Sequence, residues 1–120
     1  MKLYRPPIPS VPQLEQHFVR MTELGFQLGR DLEWTYSFVH WSAGKLLELQ
    51  RDLESLGYRH KDTSPTPSRN PEIELHRLVV ERVAQHTPES LHDTIVRLAE
   101  CASRVGVDYD GWEVGKRRAS

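Results

Sequence analysis

Residues Glu33–Trp41, EWTYSFVHW, combine strict alternation with many aromatic and β-branched side chains. This composition predicts a β-strand, whose successive side chains point to opposite faces of a sheet. Three aromatic residues would share one face: Trp34, Tyr36 and Phe38. The residues between and after them would share the other face: Thr35, Ser37, Val39 and Trp41. The stretch therefore predicts a sheet with one strongly aromatic face.

Apolar residues recur at helical spacing on both sides of this strand. Before it, a helix is predicted to begin after Ser10 and to end at Gly25, because one stripe is apolar: Val11, Leu14, Phe18, Met21 and Leu24. After it, a second helix is predicted between Ser42 and Gly57 on a leucine stripe: Leu46, Leu49, Leu53 and Leu56.

The second half of the chain predicts two strands and a third helix. Tyr58–Asp62 is typical of a short polar strand, and the three prolines of Ser64–Pro71 predict a loop. Glu72–Gln85 is rich in β-branched residues and predicts a longer strand. Its polar and apolar residues do not alternate regularly, so the sequence does not show which face of this strand points inward. Thr87 is a suitable cap for a helix with proline in its first turn, and Gly106 is a suitable end.

The last predicted strand lies in VDYDGWEVGK, Val107–Lys116. Simple alternation places Asp110, Trp112 and Val114 on one face, and Tyr109, Gly111 and Glu113 on the other. The spacing of Asp110 and Glu113 then predicts opposite faces, which argues against a catalytic carboxylate pair. A calcium loop of the EF-hand type would need a distal glutamate that the stretch lacks.

The order helix, strand, helix, strand, strand, helix, strand predicts an α+β fold. Two strand–helix units with a hairpin between them indicate a ferredoxin-like split β-α-β sandwich. We expect a four-stranded antiparallel sheet with helices on one face, plus the N-terminal helix. One domain would span residues 11–116, between a proline-rich arm over residues 1–10 and a basic tail over residues 117–120.

Composition excludes several classes of protein. The chain has 120 residues, a formal net charge of −1 and a single cysteine. A general nucleic-acid binder would carry a basic excess, so direct nucleic-acid binding is not expected. No apolar run is long enough for a signal peptide or a membrane span. With no partner for a disulfide, Cys101 favours a reducing compartment, and we expect a cytoplasmic protein.

The sequence offers no recognisable catalytic, metal or cofactor site. None of the six histidines forms an i, i+4 pair, and there is no Cys-x-x-Cys. His40 and His76 lie on predicted strands and could meet across a sheet, but a shared metal site would need ligands that converge on one point, and polar strand residues are the simpler interpretation. Cys101 adjoins an apolar helical stripe, where a thiol usually packs as a small hydrophobic group. No glycine-rich phosphate loop occurs, so we expect no cofactor and no enzyme activity.

Four stretches together resemble a known family: EWTYSFVHW, LESLGYR, HRLVVERVAQHTPES and YDGWEVG. Their order is similar to that of the regulator of ribonuclease E activity B (RraB-like) family, over about Leu14–Lys116. The most specific element is the YDGWE motif behind a helix: Tyr109, Asp110, Gly111, Trp112 and Glu113. The resemblance implies a ferredoxin-like protein that binds the endoribonuclease of the RNA degradosome and lowers its activity. The namesake members of that family are strongly acidic, whereas this chain is nearly neutral and ends in GKRRAS.

The uncovered face of the sheet is the predicted site for a protein partner. The expected contact residues come from the first and last strands: Thr35, Ser37, Val39, Trp41, Asp110 and Glu113. Trp41 is either part of an exposed docking patch or a rim residue covered by the N-terminal arm. The partner is either a ribonuclease or, if the chain is an immunity protein, a toxin encoded nearby. The same face also offers a surface for a homo-oligomer.

Overall fold

The computed structural model describes residues 8–68 and 70–115. The predicted arm and tail therefore lie largely outside the described residues. The elements within the described ranges, in chain order, are α1 Val11–Glu23, β1 Leu32–His40, α2 Ala43–Ser55, β2 Arg59–Thr66, β3 Leu75–Ala84, α3 Pro88–Val105 and β4 Asp108–Val114. This order confirms the predicted α+β fold.

The strands form an antiparallel four-stranded sheet in the order β2-β3-β1-β4. The first strand lies inside the sheet and the last strand lies at its edge, as in a ferredoxin-like sandwich. All three helices pack against one face, where their apolar stripes form a single core with the sheet. Within the part of the chain that is described, no helix is long and apolar enough to cross a membrane.

The aromatic residues of β1 form the centre of this core, as predicted. Trp34, Tyr36 and Phe38 are each at most 1% exposed. Leu78 and Val80 of β3 pair with Phe38 and Tyr36, and both are fully buried. The register therefore answers the question that the sequence left open, because it places these two β3 residues on the inward face. The Trp34 indole N–H is satisfied by the Ala84 carbonyl at 3.0 Å.

Each helix begins at a capping residue that the sequence suggested. The side chains of Ser10, Ser42 and Thr87 accept hydrogen bonds from backbone N–H groups of the first turns of α1, α2 and α3. At the end of α2, the Tyr58 N–H donates to the Leu53 carbonyl at 3.1 Å. This bond closes the helix, and the chain then turns into β2.

The strand β2 is longer than predicted, and the predicted loop over Ser64–Pro71 is partly wrong. Pairing with β3 continues through Ser64, Pro65 and Thr66. Proline lacks an N–H donor, but an edge strand tolerates it because its outer side forms no ladder bonds. The pairing register shifts between His60 and Asp62, which marks a bulge. Long-range pairing thus extends a strand whose local sequence favours a loop.

Candidate protein-binding site

The sheet face opposite the helices carries the side chains that alternate with the buried aromatic residues. We call it the open face. The cross-strand register assigns to it Glu33, Thr35, Ser37 and Val39 of β1, Arg77, Val79 and Glu81 of β3, and Gly111 and Glu113 of β4. This face contains most of the contact residues predicted from the sequence.

A β-bulge in β4 changes the predicted alternation. Phe38 pairs with Tyr109 and Ser37 pairs with Gly111, so Asp110 is an extra residue in the ladder. Tyr109 is consequently turned to the helix side, where it is 2% exposed and its ring lies 5.9 Å from that of Phe38. The prediction that Tyr109 shares a face with Gly111 is therefore wrong.

Trp112 follows the same register and packs on the helix side. Its ring lies 5.9 Å from Trp34 and 5.8 Å from His17 of α1. Tyr109 and Trp112 of the YDGWE motif thus attach the edge strand to the core. Gly111 lies between them and has φ +151°, a backbone conformation that residues with a Cβ atom rarely adopt. The motif therefore encodes the bulge as well as the packing.

The bulge also brings Asp110 and Glu113 to the same side. Both line a groove of about 360 Å³ at the β4 side of the open face. We call this the β4 groove, and its lining residues are Thr35, Ser37, Arg77, Val79, Asp110, Gly111, Trp112 and Glu113. The prediction that Asp110 and Glu113 point to opposite faces is wrong, because one inserted residue shifts the alternation by one.

Four of the six predicted contact residues therefore meet in one place: Thr35, Ser37, Asp110 and Glu113. Val39 belongs to the open face but is only 6% exposed and does not line the β4 groove. Trp41 lies one residue beyond the end of β1 and is 62% exposed. Its ring stacks on His40 at 4.9 Å, and the His40 Nδ1 accepts a hydrogen bond from the Ser42 N–H at 2.8 Å. These contacts hold the exposed indole at the end of the strand.

An ion pair crosses the β4 groove. Arg77 donates from Nε and from a terminal nitrogen to Oδ2 of Asp110, at 3.2 and 2.9 Å. The arginine is 43% exposed and the aspartate 25% exposed. Arg77 was missed by sequence reasoning, because its facing depends on the register of β3 against β1. The available signal in the sequence was its position two residues before Val79, because side chains two residues apart on a strand lie on the same face.

A second polar cluster lies on the open face toward β2. Arg59 donates to Oε1 of Glu81 at 2.7 Å, and Lys61 lies 3.6 Å from Glu33. The pKa of the Glu81 carboxyl is lowered, first by hydrogen bonding with the Glu33 carboxyl and then by the Arg59 guanidinium. Burial of Glu81 acts in the opposite direction and raises this pKa. Each of these two basic side chains is thus already matched by a carboxylate.

The histidines within residues 8–68 and 70–115 do not group with other side chains that could bind a metal ion. His40 and His76 do pair across β1 and β3. However, residues 8–68 and 70–115 contain no group of three or more His, Cys, Asp or Glu side chains placed to hold a metal ion. His40 already accepts the Ser42 N–H, and His76 lies 3.3 Å from Glu74. Both rings thus have local partners within the protein.

Comparison with known protein families identifies the family of this chain. The sequence profile of a family described as regulator of ribonuclease activity B matches residues 13–114. A comparison with curated protein sequences gives no match. The matched range includes the whole sheet, α2, α3 and the YDGWE motif. Because this range is most of the chain, the protein belongs to the regulator of ribonuclease activity B family.

Proposed function

We propose that this protein is a non-enzymatic regulator that binds a ribonuclease of the ribonuclease E type through its open face and lowers the activity of that enzyme. The observation that carries the proposal is the family match over residues 13–114, since the family is described by regulation of ribonuclease activity. Such a role would place the protein in the cytoplasm, as the single cysteine also predicts.

The open face is the surface we assign to this contact. It combines partly buried apolar side chains with ion pairs whose geometry is already set, such as Arg77 with Asp110. Preorganised polar groups reduce the entropy that is lost on association. Trp41, exposed at the edge of this surface, is of the residue type most often found at energetic centres of interfaces.

The near-neutral charge affects how binding would occur. With a formal net charge of −1, long-range attraction to a basic partner is weak. Affinity would therefore depend on local contacts, and the association rate would change little with ionic strength. In this respect the protein would differ from the strongly acidic members that the sequence resembles.

The direct test uses the full chain and the ribonuclease E-type enzyme of the same organism. Complex formation is measured by analytical ultracentrifugation, and cleavage of a short fluorogenic RNA is measured with and without the protein. We expect a defined complex and a lower cleavage rate. Ser37→Arg, at the centre of the open face, should weaken both effects at least roughly tenfold by steric exclusion.

Ser103→Arg is the matched control, because Ser103 is exposed on α3 in the helix layer. It makes the same chemical change on the opposite side of the protein and should leave binding intact. Absence of a complex, together with an unchanged cleavage rate, would refute the proposed function. Equal losses for the two variants would refute only the assignment of the open face. Tight binding to a toxin encoded by a nearby gene, in place of the ribonuclease, would establish the immunity role.

A further inference from the structure

The hydroxyl donors of the β4 groove are already used within the protein. Ser37 Oγ donates to the Gly111 carbonyl and Thr35 Oγ1 donates to the Glu113 carbonyl, each at 3.4 Å. Arg77 directs Nε and a terminal nitrogen to a single oxygen, Oδ2 of Asp110. Oxygen acceptors, from carboxylates and backbone carbonyls, therefore outnumber the donors still free to meet a ligand.

Charge in the β4 groove is also unbalanced. One guanidinium, Arg77, faces two carboxylates, Asp110 and Glu113, so the lining of the groove carries one more negative than positive charge. Glu113 is exposed, and its carboxylate has no hydrogen bond or ion pair with any other residue in the described ranges. By contrast, the β2 side of the open face pairs Arg59 and Lys61 with Glu81 and Glu33. Among the residues that line the β4 groove, one carboxylate is thus left without a basic partner.

This chemistry selects a cationic ligand with many donors. A guanidinium carries five N–H donors in a fixed plane and binds carboxylates through charge-assisted hydrogen bonds. A volume of about 360 Å³ is at the small end of ligand sites, enough for one long side chain but not for a helix. Val79 supplies an apolar contact for the methylene stem. Phosphate groups would be repelled by the net negative charge.

We propose that the β4 groove binds an arginine side chain, presented by an extended segment of the partner protein, with Glu113 and Asp110 as the recognising carboxylates. This inference rests on the proposed function for the existence of a partner, but it specifies chemistry that the family description does not. It also accounts for the bulge, because without the extra residue Asp110 and Glu113 would lie on opposite faces of β4.

The test titrates the full-length protein, labelled with ¹⁵N, with capped nonapeptides in which arginine alternates with serine. Otherwise identical peptides carry lysine, neutral citrulline or glutamate in place of arginine. We expect the arginine peptide to shift the amide signals of Thr35, Ser37 and Gly111 with a Kd of about 1 mM or tighter. The lysine peptide should bind more weakly, and the citrulline and glutamate peptides should not bind.

Glu113→Gln should weaken binding of the arginine peptide roughly tenfold, because one charge-assisted contact is lost. Glu100→Gln, an equal change at an exposed position of α3, is the control and should have no effect. Glu113→Lys should abolish binding of the arginine peptide and create binding of the glutamate peptide. This reversal keeps the test informative if Glu113→Gln only perturbs the local structure.

Three results would overturn the proposal: no saturable shifts with the arginine peptide, shifts confined to the helix side, or equal losses for Glu113→Gln and Glu100→Gln. If the ribonuclease complex still forms while the arginine peptide does not bind, the proposed function stands and the arginine site is refuted. If the protein self-associates through the open face and excludes the peptide, the occupant is a second copy of this chain and the arginine site is likewise refuted.

Discussion

At the scale of single residues, His86 shows how the core uses a titratable group. Its ring packs edge-on against Trp34 at 4.8 Å. Nε2 lies 3.2 Å from the Tyr36 hydroxyl, and Nδ1 lies 2.9 Å from the Ser90 hydroxyl. Burial, followed by the charge of Arg82, lowers the pKa of His86 below the ordinary value of 6.5. The neutral ring therefore links the sheet to the start of α3.

This pKa shift has a consequence for stability. Because the pKa of His86 is lower in the folded state, the unfolded chain binds a proton at this histidine more readily than the folded protein does. The contribution of His86 is then complete above pH 6.5 and decreases as the pH falls from 6.5 toward the lowered folded value. We expect His86→Asn to cost about 1–2 kcal/mol at pH 7.5, from lost hydrogen bonds, and less at pH 5.5.

Urea unfolding at both pH values measures this difference. Thr94→Ala, at a half-buried position on α3 whose side chain carries no titratable group, serves as the control and should show the same cost at both pH values. A constant gap between wild type and His86→Asn from pH 7.5 to 5.5 would show that His86 is not the titrating group.

At the scale of elements, β4 carries the specific feature of this fold. The bulge lets a strand of seven residues place Tyr109 and Trp112 in the core, while Asp110 and Glu113 line the β4 groove. Bulges of this kind re-aim side chains at sheet edges and next to functional sites. An edge strand with a bulge is also a poor template for uncontrolled pairing with other chains. The YDGWE motif thus serves packing and, in the proposed function, recognition as well.

We expect Gly111→Ala to destabilise the protein by about 1–2 kcal/mol, because φ +151° is strained for a residue with a Cβ. The added methyl group itself would make only an ordinary contact, 4.0 Å from Ser37 Oγ, so the cost is conformational. Thermal unfolding measures it. Gly29→Ala is the control: Gly29 has no positive φ and open space around its Cβ position, and it should be nearly neutral. Equal effects at both positions would contradict the strain argument.

At the scale of the whole molecule, the two sides of the sheet carry different kinds of side chain. The helix side supplies the core, and the open face carries ion pairs, the β4 groove and, at its end, an exposed tryptophan. Substitutions on the open face should therefore alter binding more than stability. This separation makes it possible to test recognition without unfolding the protein.

Trp41→Ala tests that separation most directly. The indole is 62% exposed, so its removal should change the free energy of unfolding by less than about 0.5 kcal/mol. We expect affinity for the proposed ribonuclease partner to fall by about 1–2 kcal/mol, roughly tenfold in Kd. Isothermal titration calorimetry measures it, with Leu47→Ala, an exposed apolar residue of α2, as the control. Unchanged affinity would remove Trp41 from the interface.

Much of the fold was predictable because its signals are local. The aromatic alternation of β1, the leucine stripe of α2 and the helix caps Ser42 and Thr87 each depend on residues a few positions apart. Such patterns reflect the periods of strands and helices, 2 and 3.6 residues. The resemblance carried by YDGWE also led to the correct family.

The candidate site was only partly predictable. Thr35, Ser37, Asp110 and Glu113 were expected to contact a partner, but Asp110 and Glu113 were expected on opposite faces. Arg77 was not expected at all. These differences share one origin, the pairing register, which is set between strands that are distant along the chain.

By itself, the sequence determined the order of the elements, the aromatic side of β1 and the family, because periodicity and motifs act over short stretches of chain. Only the tertiary structure decided the inward face of β3, the length of β2 and the meeting of Asp110 with Glu113. Each of these depends on hydrogen bonding to a neighbouring strand, where one inserted residue reverses the facing of every side chain on one side of it.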